Sequence, residues 1–226
     1  VGVVGPQLPA RASGRGRGTS PRQIKTGGSG RERAINLHEP YSALMKDADL
    51  LAELDRIALA PKVMQDQPEW VVSSHRSGDR LRIVCPLWID EEQPWGLRLE
   101  ITCPSAVPAE RRMTDMVAML FATVRGRDYH LGRIEFDPPG PGPHHRNRHM
   151  GKGVPPEIFG PHVHPYDANR RLGIVGLTPA VDGNLPFAFA LDRTIVNFSD
   201  ALQSIRDHFD IPELWIGEPQ WSIRLV

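Results

Sequence analysis

Five of the nine histidines in this chain of 226 residues fall within one short segment: His144, His145, His149, His162 and His164. They lie in the stretch "PGPGPHHRNRHMGKGVPPEIFGPHVHPYD", among prolines, glycines and cations. Imidazole is the side chain that changes charge near neutral pH, and its neutral form is the commonest protein ligand for transition metals. The prolines at 161 and 165 bias their neighbours towards extended backbone. Side chains alternate faces in an extended "HVH", so His162 and His164 point one way and Val163 the other. Two residues of strand separate the pair by roughly 6.5 to 7 Å along the backbone. That gap suits two imidazoles converging on one ion or one phosphate.

Other residues can join this pair. "DYHLGRIEFD" (128–137) alternates and reads as a strand, and the stiff "PPGPGP" follows it. If that strand pairs with 159–166, the intervening loop returns His144 or His145 to the same end of the sheet. The site would then hold two or three imidazoles, with Glu135 or Asp137 nearby and Arg146, Arg148 and Lys152 as cations. Glu157 reads as an exposed loop carboxylate. His38, His75 and His208 read as solvated, and His130 as a packed or edge residue.

Two chemistries fit that set. In the first, His162, His164 and His145, with Asp137 as carboxylate, hold zinc, manganese or nickel. The metal lowers the pKa of a bound water and makes a hydroxide nucleophile. In the second no metal is needed. His144, His145, His162 and His164 supply the general acid and base, and Glu135 orients an imidazole. Arg133, Arg146 and Arg148 would contact a phosphate and stabilise developing charge. RNA cleavage through the adjacent 2′-hydroxyl suits that scheme.

The elements that must position these residues are short. "KDADLLAELDRIALA" places Leu50, Leu51, Leu54, Ile57 and Ala58 on one helical stripe, which Pro61 ends. Strand-like runs follow at 69–75, 80–89 and 95–103, with "SGD" and "DEEQP" as turns, so an antiparallel meander is expected. The run 113–124 is ambiguous between helix and buried strand. A strand is expected at 185–191, and a helix at 199–210 with a Ser or Asp cap. Strands in sequence with helices at the ends imply an α+β fold, mostly antiparallel, with flanking helices.

Lys+Arg and Asp+Glu balance at 27 each, unevenly distributed. Residues 1–37 hold seven basic side chains and the single acid Glu32, leaving 20 basic and 26 acidic groups for residues 38–226. A net-acidic globular part argues against broad non-specific nucleic-acid binding, which depends on neutralising phosphates. The Gly/Arg/Pro-rich start lacks apolar periodicity and cannot offset its ordering entropy. A disordered basic tail is therefore expected over 1–44, with a single α+β domain over 45–226. Met45 reads as nearer the functional start. Cys85 and Cys103 read as buried inert thiols. No apolar run approaches 18 residues and no secretory signal is evident, so a cytoplasmic protein without membrane partners is expected.

The order of a strand carrying Arg133 and Glu135 ("GRIEF"), then "PHH" (Pro143, His144, His145), then "HVH" (His162, His164) and an amphipathic helix resembles one group of prokaryotic proteins. It is similar to the TumE-type toxins of toxin–antitoxin pairs and to related uncharacterised families with a strand–PHH–HxH core, over residues 128–210. The resemblance implies a toxin acting on RNA and a cognate antitoxin partner. The leading expectation is thus a toxin-like nuclease, RNA-directed, using the histidine cluster for acid–base or metal-assisted phosphodiester cleavage. The alternatives are a non-catalytic, antitoxin-like binding module with a structural metal or partner-contact histidines, and a metal-dependent hydrolase of small molecules.

Overall fold

The computed structural model describes residues 46–74, 78–108, 115–148, 153–179 and 185–224. The tail predicted over 1–44 lies outside these, as do Met45, His38, His75, His149 and Lys152.

Helix α1 (Asp47–Leu59) turns Leu54 and Ile57 into the core, as its stripe requires. Pro61 follows its end, where the fully buried Lys62 donates to the carbonyls of Ala58 and Ala60 at 2.9 and 2.7 Å. Helix-end carbonyls without an intrahelical partner are thereby satisfied. The strands are β1 (Val63–Met64), β2 (Val71–Ser73), β3 (Arg80–Trp88), β4 (Arg98–Pro104), β5 (Ala106–Pro108), β6 (Met116–Val124), β7 (Arg127–Phe136), β8 (His145–Arg146), β9 (Glu157–Ile158), β10 (His162–His164), β11 (Phe189–Ala190) and β12 (Ser222–Arg224). Helix α2 (Tyr166–Arg170) follows β10 directly, and α3 (Phe198–Phe209) follows β11.

Eight strands form one antiparallel sheet in the order β1-β3-β4-β6-β7-β10-β11, with β2 also paired to β3. The strands β8 and β9 make a separate antiparallel pair, and β5 and β12 a parallel one. The α+β architecture with a mostly antiparallel sheet is therefore as expected. Among the described residues no helix is long and apolar enough to cross a membrane.

One sheet face is the core. Leu81, Ile83, Cys85 and Leu87 alternate inward from β3 and share a cluster with Leu54 and Ile57 of α1 and Leu202, Ile205 and Phe209 of α3. The ambiguous run 113–124 resolves as strand β6, with Met116, Ala118 and Leu120 facing that core. It reads as continuously apolar because Val117, Met119 and Phe121, on its second face, are themselves at least half covered. Between β6 and β7 the register shifts, so that Leu120 opposes Gly132 but Phe121 opposes His130. A Cβ at Gly132 would lie 2.7 Å from the Phe209 ring, so glycine there lets α3 press against the sheet.

Two expectations need correction. The run 185–191 pairs only at Phe189–Ala190, since Pro186 has no N–H to give to a ladder. The cap of α3 is Asn197, not Ser or Asp. Its side chain accepts from the Asp200 N–H at 3.0 Å, while Asp200 accepts from the Asn197 N–H at 3.2 Å.

The other sheet face carries a chain of ion pairs among half-covered apolar side chains. Arg82, Glu100, Arg98 and Asp128 chain across β3, β4 and β7 through contacts of 2.7, 2.7 and 2.8 Å. Beside them, His130 packs edge-on against Phe121, with ring centroids 4.4 Å apart. The histidine cluster lies farther along this face.

A candidate metal centre of three buried histidines

Strand pairing assembles the first half of the site. β10 runs antiparallel to β7 with His162 opposite Glu135, Val163 opposite Ile134 and His164 opposite Arg133. Cross-strand partners share a face. Arg133, Glu135, His162 and His164 thus form one block, while Ile134 and Val163 enter the core. The brace behind β10 is Asp55 of α1, which accepts from Tyr166 at 2.8 Å and from Arg170 at 2.7 and 2.8 Å.

The third imidazole comes from β8. His145 opposes Ile158 and turns inward, whereas Arg146 opposes Glu157 and turns out. One ring nitrogen from each of His145, His162 and His164 lies within 4.8 Å of the other two. Ring centroids are 4.7 Å apart for His145–His164, 5.2 Å for His162–His164 and 5.9 Å for His145–His162. His162 and His164 are fully buried and His145 is 4% exposed.

Backbone carbonyls orient two of the rings. His162 Nδ1 lies 3.0 Å from the Gly160 carbonyl, which can only accept, so Nδ1 carries a proton and Nε2 is left facing the cluster without a hydrogen-bond partner. His145 is hydrogen-bonded to the Pro186 backbone, and its Nε2 has no partner. His164 has neither nitrogen in a hydrogen bond, although the Phe187 backbone interacts with its ring. A buried polar group without a partner costs about 1–3 kcal/mol. An ion held between the three rings would give each of them a partner for one nitrogen.

The electrostatics agree. Burial, reinforced by the neighbouring imidazoles, holds His164 well below the ordinary histidine pKa, and burial also lowers His145. Both are therefore neutral near pH 7, the form that binds metal. Burial alone would raise Glu135, but its close contact with the His162 ring and the charge of Arg133 outweigh this and hold the carboxyl below its usual value. Glu135 Oε1 stands 3.5 Å from His162 Nε2, 4.0 Å from His164 Nε2 and 2.7 Å from Arg133 Nη2. Tetrahedral zinc with nitrogen ligands needs donor atoms about 3.4 Å apart, so closure asks for an adjustment of about 1 Å. The group closed within 4.8 Å comprises the three histidines, without Glu135 or Asp137.

Several expected members are elsewhere. His144 does not enter the cluster: its Nδ1 accepts from the Gly160 N–H at 2.8 Å and its Nε2 donates to the Gly140 carbonyl at 2.9 Å. Both nitrogens are thus committed to backbone. Asp137 lies past the end of β7 with a left-handed φ of 43°, where its own carbonyl accepts from the Asp115 N–H at 2.8 Å, and it joins no ligand group. Arg146 is 75% exposed and pairs with Glu157 at 3.1 Å, so it faces away from the histidines. Arg148 is exposed, with its N–H on the Pro186 carbonyl at 3.4 Å. Arg133 reaches the site carboxylate, through the contact already given. His208 is exposed on α3, and both cysteines are buried free thiols.

Sequence reasoning missed the carbonyls of Gly160 and Pro186 and the Phe187 backbone beside His164. "FGP" signals a turn, and Gly160 does adopt a φ of 76°, but nothing local marks the 186–187 segment as part of the site. Comparison with known families, curated proteins and solved structures finds no match to this chain.

Proposed function

We propose that this protein is a metal-dependent hydrolase whose three-histidine centre holds one divalent transition metal, zinc foremost. The observation that carries the reading is the convergence of ring nitrogens from His145, His162 and His164 within 4.8 Å in a buried setting. A metal so held supplies a water acidified to near neutral pH. Glu135 is placed to accept a proton at Oε1, and Arg133 to offset negative charge beside it. The metal-free acid–base scheme has less support, because burial disfavours a protonated His145 or His164 as its general acid.

A phosphodiester, RNA first, is the substrate class we assign, and a toxin-like role with an antitoxin partner is the setting that the sequence resemblance suggests. Two buried free thiols suit a reducing, cytoplasmic compartment. The test is cleavage of RNA and of an activated phosphodiester by tag-free protein, with chelator and after restoring zinc, manganese or nickel. Cleavage lost with chelator, regained with metal and absent from His162→Ala supports the assignment. Undiminished cleavage in chelator overturns it.

A second reading has its own observation. His162 and His164 are fully buried, and Glu135 lies near enough to both to complete a closed four-ligand site. A closed site of that kind is structural, and metal-loaded protein would then stabilise strongly without turnover.

A further inference from the structure

Two asparagines are buried beside the histidines: Asn169 is fully buried and Asn147 is 8% exposed. Each treats one residue of the 187–188 segment as a strand partner would. Asn169 Oδ1 accepts from the Phe187 N–H at 2.8 Å, and its Nδ2 donates to the Phe187 carbonyl at 3.1 Å and to the Pro165 carbonyl at 2.9 Å. Asn147 Oδ1 accepts from the Ala188 N–H at 2.7 Å, while its Nδ2 donates to the Ala188 carbonyl at 3.0 Å and the Pro155 carbonyl at 2.5 Å. A carboxamide is the side chain that offers both an acceptor and a donor pair, so it can mimic a peptide edge.

The segment so clamped is the one whose backbone meets two imidazoles, at Pro186 for His145 and at Phe187 for His164. The same asparagines lie within a few residues of the ligands they serve: Asn147 two after His145, Asn169 five after His164. Each therefore couples its own chain segment to the 186–188 backbone. The third ring, His162, takes its carbonyl from Gly160 and is independent of both.

We infer that Asn147 and Asn169 are positioning residues of the metal centre, which hold the 186–188 backbone so that the Pro186 carbonyl aims His145 and the Phe187 backbone stays against the His164 ring. The inference rests on the metal reading proposed above. Partners that orient ligands typically contribute 10–100-fold to metal affinity. Two isosteric variants, Asn169→Leu and Asn169→Asp, remove the donors to the Phe187 and Pro165 carbonyls, and Asn147→Ala removes the second clamp from a less buried place.

The experiment uses the full chain, metal-free, titrated with zinc against a competing chelator and with cobalt(II) followed by its visible absorption. Leu54→Ala, a core substitution in α1, serves as the control for lost stability alone. The expected result is zinc affinity 10–100-fold weaker and an altered cobalt spectrum in the asparagine variants, against an unchanged spectrum in the control. If Asn169 variants do not fold, Asn147→Ala carries the same expectation through His145. Unchanged affinity and spectrum in a folded asparagine variant overturn the inference while leaving the metal reading in place. A wild-type chain that takes up neither ion overturns both.

Discussion

His144 and His162 grip opposite ends of one glycine: the Gly160 N–H donates to His144 Nδ1 at 2.8 Å, and the Gly160 carbonyl accepts from His162 Nδ1 at 3.0 Å. Adjacent histidines in the sequence, His144 and His145, therefore have different work. One staples the turn before β10, and the other projects into the cluster.

That division predicts different losses. His145→Ala should abolish tight zinc binding. His144→Ala should keep it while losing about 0.5–1.5 kcal/mol of stability, because the part-buried Gly160 N–H loses its acceptor while the exposed Gly140 carbonyl turns to water. Zinc content and urea unfolding of the two variants check this, and equal metal loss in both would refute the assignment.

Glu135 separates binding from chemistry. Glu135→Gln keeps the shape but removes the proton acceptor, so zinc should remain bound while turnover falls by about 10²–10⁴-fold, the range for general-base loss. Loss of zinc in parallel with activity would instead make Glu135 a ligand.

The metal-free protein should weaken in mild acid. An unfolded histidine takes up a proton as the pH falls through about 6.5. Burial lowers His130 to about 4, with the Arg133 charge adding to it, and His145 and His164 are shifted the same way. Between those values the unfolded chain binds more protons, so stability is complete above about pH 6.5 and declines below it. His130 alone accounts for about 3 kcal/mol over that interval. Urea midpoints at pH 7.5 and 4.5 measure the decline, and His130→Gln should reduce it. A midpoint that does not change with pH would contradict a buried neutral His130.

Much of this was legible in the sequence, for identifiable reasons. The alternation in "DYHLGRIEFD" and the prolines flanking "HVH" specify two strands, and their pairing brings His162 beside Glu135. The stripe in α1 and the amphipathic pattern of 199–210 specify the helices over the core. Which of His144 and His145 faces inward was not legible, since that depends on the two-residue pairing of β8 with β9. Nor were the roles of Asn147 and Asn169, whose partners lie 41 and 18 residues away. Arg146 carried the charge expected of a phosphate contact, but its orientation is set by Glu157 across the same pair.

The close approach of α3 gives a test of the fold independent of the metal. Gly132→Ala would press a methyl against Phe209, and overpacking of this kind costs about 1–3 kcal/mol. Its Cβ would point to the core face, away from the histidines, so zinc affinity should hold. Thermal unfolding with a zinc titration checks both halves, and a variant as stable as the parent would refute the packing.

The most direct test of the central claim is native mass spectrometry of tag-free protein equilibrated with zinc and desalted, beside His145→Ala, His162→Ala and His164→Ala. The account predicts a single retained zinc ion in the parent chain and its loss in all three variants. A parent that retains none, or three variants that still retain it, would contradict it.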